Sequence, residues 1–414
     1  MASTLRRCVS LGSSGVGSPG SNQDYANNAE FFKETGSRWA RLWAEWFQLQ
    51  PESDYPPDEG SGAFRVRALD RQVAQANADG LNVMLTVWRF PLWANETAGF
   101  SEAEDASYQL PDRIRQGGDP GRRKDLSFKV PGDLSVASPF GRFLEFLIAR
   151  YNSGNPDRPG TVAALEVCNE PNGQMWPQQG PSTTGNPYDD GPITIQEPVA
   201  QMFRTAHIVN LRHQSRMLLL GPGTADRTGN SRLGTAYTTM TTNLLDEVAT
   251  AEAAPSDIGR GVPAEHARGF QPGVHFGWSH HNYIDIEFDQ GVGSSLGRTN
   301  NRAAHVRRLL TGRWAGWPTG DAAAPGVALT EGGARLTQIR SLYGLTDPAL
   351  IQAKQAELLQ RNWDRMFLGA DGVGIEMLTW YLFHTDPNFD AGLCDFDGTK
   401  RPVYATWGTL PSLQ

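Results

Sequence analysis

Cysteine is scarce in this chain. Its 414 residues include only Cys8, Cys168 and Cys394, with no CxxC spacing among them. That excludes a disulfide framework and a cysteine-built zinc site. Long apolar runs are also missing: no stretch approaches the roughly 18 consecutive apolar residues of a spanning helix, so a membrane protein is excluded. Basic residues are outnumbered, 37 Lys and Arg against 45 Asp and Glu, for a formal charge of -8. They are interspersed with the acids and form no stripe that would attract a phosphate backbone, which argues against a nucleic-acid partner. The opening MASTLRRCVSLGSSG has two arginines but no apolar segment of about 7 to 15 residues, so no secretory signal is legible. The expected compartment is the cytoplasm, or the exterior if a signal has been removed. GSSGVGSPG (12 to 20) lacks both the GxGxxG spacing and the Lys-Ser/Thr ending of a phosphate cradle, and reads as a turn leaving a strand.

What is present is an eightfold alternation of short apolar runs with longer amphipathic stretches, the pattern of a parallel sheet wrapped by helices. The strand candidates are CVSLGSSG (8 to 15), RWARLWAEW (38 to 46), NVMLTVWRF (82 to 90), VAALEVCNE (162 to 170), MLLLGPG (217 to 223), VHFGWSHHNY (274 to 283), VALTEGG (327 to 333) and VGIEMLTWYLF (373 to 383). Several are apolar throughout, as strands covered on both faces are. The clearest helix spans 139 to 151, where Phe140, Phe143, Leu144, Leu147, Ile148 and Tyr151 fall on one face behind a Ser138-Pro139 start. Further helices are expected near 63–79, 197–213, 298–311 and 348–368. No linker divides the chain, so residues 1–414 read as a single domain. The predicted fold class is α/β, a (β/α)8 TIM barrel with long βα loops at 91–137, 171–196 and 284–297; a doubly wound open sheet is the competing architecture.

Two acids stand where apolar strands end: Glu170 in LEVCNEPNG and Glu331 in VALTEGGA. Glutamate is depleted in strands, so neither is explained by strand propensity. Either alone could be an exposed loop acid. In a barrel of eight, the ends of the fourth and seventh strands face one cup, and two carboxyls across a cup are the minimum equipment for glycoside hydrolysis. Glu376 in GIEML competes as a third acid and reads as structural. His275, His280 and His281 suggest a metal, but adjacent residues of a strand point to opposite faces, so no metal site is expected. Among the 12 tryptophans, Trp46, Trp88, Trp93, Trp176 and Trp278 lie at strand ends or in the loops after them and divide between sugar platforms and packing. Trp314, Trp317, Trp363 and Trp407 read as packing.

The set NEP at strand four, His281-Asn282-Tyr283 at strand six, TEGG at strand seven and Thr379-Trp380-Tyr381 at strand eight resembles the retaining glycoside hydrolases of clan A. With PLWAN (91 to 95), it is most similar to glycoside hydrolase family 39 and family 5-like enzymes, over nearly the whole chain. The resemblance implies that Glu170 is the general acid/base, Glu331 the nucleophile, and Asn169 a partner for the hydroxyl beside the anomeric carbon. It implies Arg41 and Tyr283 beside Glu331, His281 on the acid/base side, and Trp380 as the platform under the reacting sugar, after a non-proline cis peptide. Cys168 replaces the usual aromatic before NEP and Gly332 the usual bulky residue after the nucleophile, departures that bear on specificity. The expected function is retaining, exo-acting cleavage of an oligosaccharide or glycoside through a covalent glycosyl-enzyme, without a cofactor. The alternatives are a transglycosylase on the same site and a non-catalytic carbohydrate-binding barrel.

Overall fold

The computed structural model describes residues 6–12, 24–91, 93–94, 130–170, 196–225, 276–288, 326–368, 375–386 and 389–411. In chain order these form β1 (Arg6–Ser10), α1 (Tyr25–Thr35), β2 (Trp39–Glu45), α2 (Trp46–Leu49), α3 (Ala63–Ala78), β3 (Asn82–Trp88), α4 (Pro139–Tyr151), β4 (Ala164–Val167), α5 (Gln196–Arg212), β5 (Leu218–Leu220) and β6 (Thr224–Ala225). There follow β7 (Phe276–His281), α6 (Tyr283–Glu287), β8 (Gly326–Glu331), α7 (Leu336–Tyr343), α8 (Pro348–Leu368), β9 (Ile375–Tyr381) and α9 (Pro402–Thr409). Every strand pairing is parallel, in the order β5-β4-β3-β2-β1-β9-β8-β7-β6, and β5 also pairs with β7. β6 continues the β5 stave, so the sheet closes as an eight-stave barrel with helices around it. The open-sheet alternative is thereby ruled out.

The expected strands all occur, most of them shorter than expected; β1 begins two residues and β8 one residue before the expected start. The helix expected at 139–151 is found with those bounds, as is the one at 348–368. Ser138 Oγ accepts from Gly141 N at 3.1 Å, closing the start of α4; a Cβ on Gly141 would lie 2.3 Å from Val136 O, which excludes any larger residue there. The apolar stripe of α4 is buried and packs on the barrel wall. Burial of such side chains is worth about 1.5–3 kcal/mol each, enough to outweigh modest helix propensity. Helices α1, α2, α6, α7 and α9 lie in stretches with no helix expected, α6 taking up the start of the expected 284–297 loop. α1 is set by its ends, with Asp24 accepting from Ala26 N at 3.1 Å and Gly36 left-handed at φ 66°. The expected helix at 298–311 and the 13–20 turn lie outside the described residues.

Strand periodicity sorts side chains between the barrel interior and the helical layer. Cys8, Trp39, Met84, Ala164, Leu220, Ala328 and Met377 form an apolar plug at the strand beginnings. Above the plug the interior turns polar, with Arg41, Thr86, Glu166 and Thr330 in contact. The seam joins early and late parts of the chain: β1 pairs with β9, Arg7 Nη1 donates to Trp407 O, Trp407 Nε1 to Ser37 Oγ and Tyr404 Oη to Glu34. Among the described residues no helix is long and apolar enough to cross a membrane.

Candidate active site

The end of β4 carries an irregular backbone. Cys168 (φ 73°) and Glu170 (φ 45°) both adopt the left-handed region that non-glycine residues avoid, and Arg89 just beyond β3 does so too (φ 56°). Each costs roughly 1–3 kcal/mol and persists only where surroundings impose it, most often at functional sites. Here Cys168 N donates to Val87 O, Gly223 N to Cys168 O, and Glu170 N to Gly223 O, at 2.8–3.0 Å. Three neighbouring staves thus hold Glu170 over the cup.

Glu331, at the end of β8, meets it there. Arg41 Nη1 donates to Glu331 Oε1 at 2.6 Å and Tyr283 Oη to Glu331 Oε2 at 3.0 Å. His281 Nδ1 lies 2.9 Å from Glu170 Oε1 and 3.5 Å from Glu331 Oε2. Arg41 and His281 are fully enclosed, Glu331 is 4% exposed and Glu170 9%. Arg41 Nη2 also donates to Asn169 Oδ1 at 2.8 Å, which turns the Asn169 amide nitrogen away from the guanidinium. Charge governs the protonation of this cluster. Burial lowers the His281 pKa, but the charge of Glu331 together with the bond and charge of Glu170 raise it above the ordinary histidine value. Burial and the neighbouring Glu331 hold the Tyr283 and Tyr381 phenols well above theirs, so both remain hydrogen donors.

Glu170, His281 and Glu331 each offer a donor atom within 4.8 Å of the others. The Arg41 guanidinium, already 2.6 Å from Glu331, supplies the positive charge there and opposes a divalent cation in the same space. His280 points elsewhere, with its Nδ1 3.0 Å from Thr224 Oγ1. Glu376 is half-exposed beside Arg6 at 3.6 Å, outside the cup.

Trp380 requires correction. Its ring is wholly buried in the helical layer, Nε1 donates to Ala391 O at 2.8 Å, and it packs on Trp407 at 6.3 Å. Strand alternation puts Tyr381 into the cup instead, and the non-proline cis bond is Tyr381-Leu382, beyond Trp380 rather than before it. The aromatic wall of the cup is Tyr381, Trp43 and Trp88: Trp43 lies 6.4 Å from Tyr381 and 5.0 Å from Trp88, and Arg41 stacks over Trp43 at 4.1 Å. Trp46 packs on Phe143 and Trp278 is fully buried, so both serve packing. Trp363 and Trp407 pack together at 6.4 Å. Trp176, Trp314 and Trp317 lie outside the described residues.

Sequence reasoning missed Trp43, Tyr381 and Glu166. The last, in the middle of β4, binds Arg41 and is completely buried. A glutamate inside an otherwise apolar buried strand was the available signal, because a charge there must be paired.

No family model matches the chain, and no curated protein matches its sequence. Solved structures match its fold. One is a family 39 glycoside hydrolase from the gut symbiont Bacteroides cellulosilyticus WH2, with TM-score 0.54 and 15% identity over 99% of this chain and 64% of that one. A glucosidase from Croceicoccus marinus has TM-score 0.54 and 14% identity over 98% and 66%. The chain therefore spans just under two thirds of each. A GH5-4 broad specificity endoglucanase from Clostridium acetobutylicum has TM-score 0.50 and 13% identity over 99% and 98% of the two chains. The chain thus shares its barrel with glycoside hydrolases of families 39 and 5.

Proposed function

We propose that the protein is a retaining glycoside hydrolase, with Glu331 as nucleophile and Glu170 as general acid/base. The observation that carries this reading is the paired environment of the two carboxyls. Their oxygens come within 4.8 Å, Glu331 is flanked by Arg41 and Tyr283, and Glu170 is bonded to His281. Retaining enzymes hold the two groups about 5–5.5 Å apart, whereas inverting enzymes leave about 6.5–9.5 Å for a water. The short separation supports direct attack.

Protonated Glu170 gives its proton to the glycosidic oxygen as that bond breaks, while an oxygen of Glu331 bonds to the anomeric carbon. Glu170, now ionised, takes a proton from water; the resulting hydroxide displaces Glu331, releasing the sugar and restoring both groups. Asn169 faces the cup as the hydroxyl partner, and the aromatic wall supplies a face for the sugar ring. The enzyme acts from a chain end on an oligosaccharide or small glycoside. The long βα loops expected from the sequence at 91–137, 171–196 and 284–297 support that reading, since such loops build the site of a barrel of this kind.

A panel of aryl glycosides tests this on wild type, Glu331→Ala and Glu170→Ala, with NMR of the first-formed anomer. Expected are turnover of one glycoside with retention, an inactive Glu331→Ala, and rescue of Glu170→Ala by azide. An inverted product, or activity surviving Glu331→Ala, would overturn the assignment. Polysaccharide cleaved at internal bonds would replace chain-end action by endo action.

A further inference from the structure

Glu166 is a buried ionisable group, bonded to Arg41 beside the two acids, for which the proposed reaction has no step. Four donors reach its carboxylate: Arg41 Nε at 3.1 Å, Arg41 Nη2 at 2.6 Å and Thr86 Oγ1 at 2.6 Å on Oε2, with Thr330 Oγ1 at 2.5 Å on Oε1. Burial alone would raise its pKa. The charge of Arg41 and the two hydroxyls, with the charge of His281 when its ring is protonated, outweigh that and hold it below the ordinary carboxylate value, so it stays ionised.

Its bonds decide how Arg41 meets the site. Glu166 occupies the Nε/Nη2 edge of the guanidinium, leaving Nη1 to face Glu331 and the second Nη2 hydrogen for Asn169. Without that anchor, Glu331 could take the two-bond fork that guanidinium and carboxylate favour, turning its nucleophilic oxygen away from the sugar. A second link runs to the acid/base side through charge and not through a hydrogen bond. His281 Nε2 is buried and has no hydrogen-bond partner among the described residues. A Cβ on Gly223 would stand 2.7 Å from that nitrogen and 2.9 Å from Glu166 Oε1, so both atoms converge on the space this glycine leaves open. A carboxylate charge across that space favours the tautomer protonated at Nε2, which leaves Nδ1 to accept from protonated Glu170.

We propose, resting on the retaining-hydrolase reading above, that Glu166 is a positioning residue that anchors Arg41 edge-on to Glu331 and fixes the His281 tautomer that keeps the proton on Glu170. Among the described residues the ionisable groups facing Glu166 are Cys8 from β1, Arg41 from β2, Cys168 at the end of β4 and His281 from β7, and those facing Glu331 or Glu170 in turn include Arg41, His281, Tyr283 from α6 and Tyr381 from β9. Arg41 is the permanent cation in this set. Removing the charge of Glu166 leaves that cation to Glu331 and makes Glu170 release its proton more readily.

The test is Glu166→Gln beside Glu166→Asp and wild type, read in two ways. In nitrogen NMR of the imidazole rings, with His281 identified by its loss in His281→Gln, wild type should show the Nε2-protonated ring. Glu166→Gln should lose that preference, and the His281 titration should move to lower pH. On a glycoside that wild type cleaves, Glu166→Gln should lower kcat about 10- to 100-fold, the usual effect of an outer-shell partner. KM should change little, and the basic limb of the pH–rate profile should move down by about one unit. Glu166→Asp keeps the charge, so it should lose kcat without moving the limb. If Glu166→Gln does not fold, Thr330→Val strips a donor from Oε1, strengthens the charge facing His281 and should move its titration upward. A lowered unfolding midpoint with unmoved His281 signals and pH limbs would mean a purely structural role and overturn the proposal. If wild type cleaves no glycoside, the hydrolase reading fails by itself, while the His281 tautomer still decides the role of Glu166.

Discussion

Arg41→Met is the substitution whose cost the structure specifies best. One guanidinium makes five hydrogen bonds inside the barrel, reaching Thr86, Glu166, Asn169 and Glu331, at 0% exposure. Methionine fills a similar volume but leaves Glu166 and Glu331 without their cation. Five charge-assisted bonds at about 1.5–3 kcal/mol each would overstate the loss. Glu166 can escape by taking a proton, so the better guide is the roughly 3–5 kcal/mol for breaking a buried ion pair. Arg41→Lys keeps the charge but presents three donors from one nitrogen, which cannot span both carboxylates, and should lose about half as much. Urea denaturation followed by tryptophan fluorescence measures both, with an unchanged slope against urea confirming that the unfolding reaction is the same. The sign of the pH dependence is fixed by Glu166. Its folded pKa is depressed, so its contribution is present above the unfolded carboxylate value of about 4.3 and is lost as pH falls through the folded value. The wild-type advantage should therefore be full above about pH 5 and shrink below it. A deficit under about 1 kcal/mol at pH 7, or one that stays constant into acid, would refute the reasoning.

Trp380→Ala should cost about 3–5 kcal/mol in the same assay while leaving kcat/KM of the folded protein nearly unchanged; a large rise in KM with little loss of stability would return the ring to the sugar. Gly223→Ala places a methyl 2.7 Å from His281 Nε2 and 2.9 Å from Glu166 Oε1. It should lower kcat at least about tenfold for a stability cost of about 1–3 kcal/mol, and an unaltered kcat would show that the space is not confined as described.

The barrel was legible because its strands, covered on both faces, are apolar runs that punctuate amphipathic helices. Glu170 and Glu331 were legible because each ends such a run, and α4 because a 3.6-residue stripe follows a serine cap. The same apolar uniformity hid the register of β9. In LTWYLF no polar alternation tells which face each residue takes, so Trp380 and Tyr381 could not be sorted without the pairing Val9↔Trp380 and Ser10↔Tyr381. α1, YANNAEFFKET, was missed because its asparagines dilute the stripe and the information sits in Asp24 and Gly36 at its ends. Glu166 needed Arg41, 125 residues away, to give its charge a meaning.

The seam between β1 and β9 has a consequence for how the chain reaches this state. Its stabilising contacts join residues separated by 356 to 400 positions, among them His384 with Asn28, Tyr404 with Glu34, Trp407 with Ser37 and Arg7 with the Trp407 carbonyl. Loop closure over such spans must precede any return from the contacts, which places ring closure late in folding. On the ribosome, β1 therefore presents an unpaired edge until β9 has been made, and the growing sheet is open to pairing with other chains throughout that interval. Arg6 and Arg7 lie on that waiting edge, where like charges on neighbouring nascent chains repel each other.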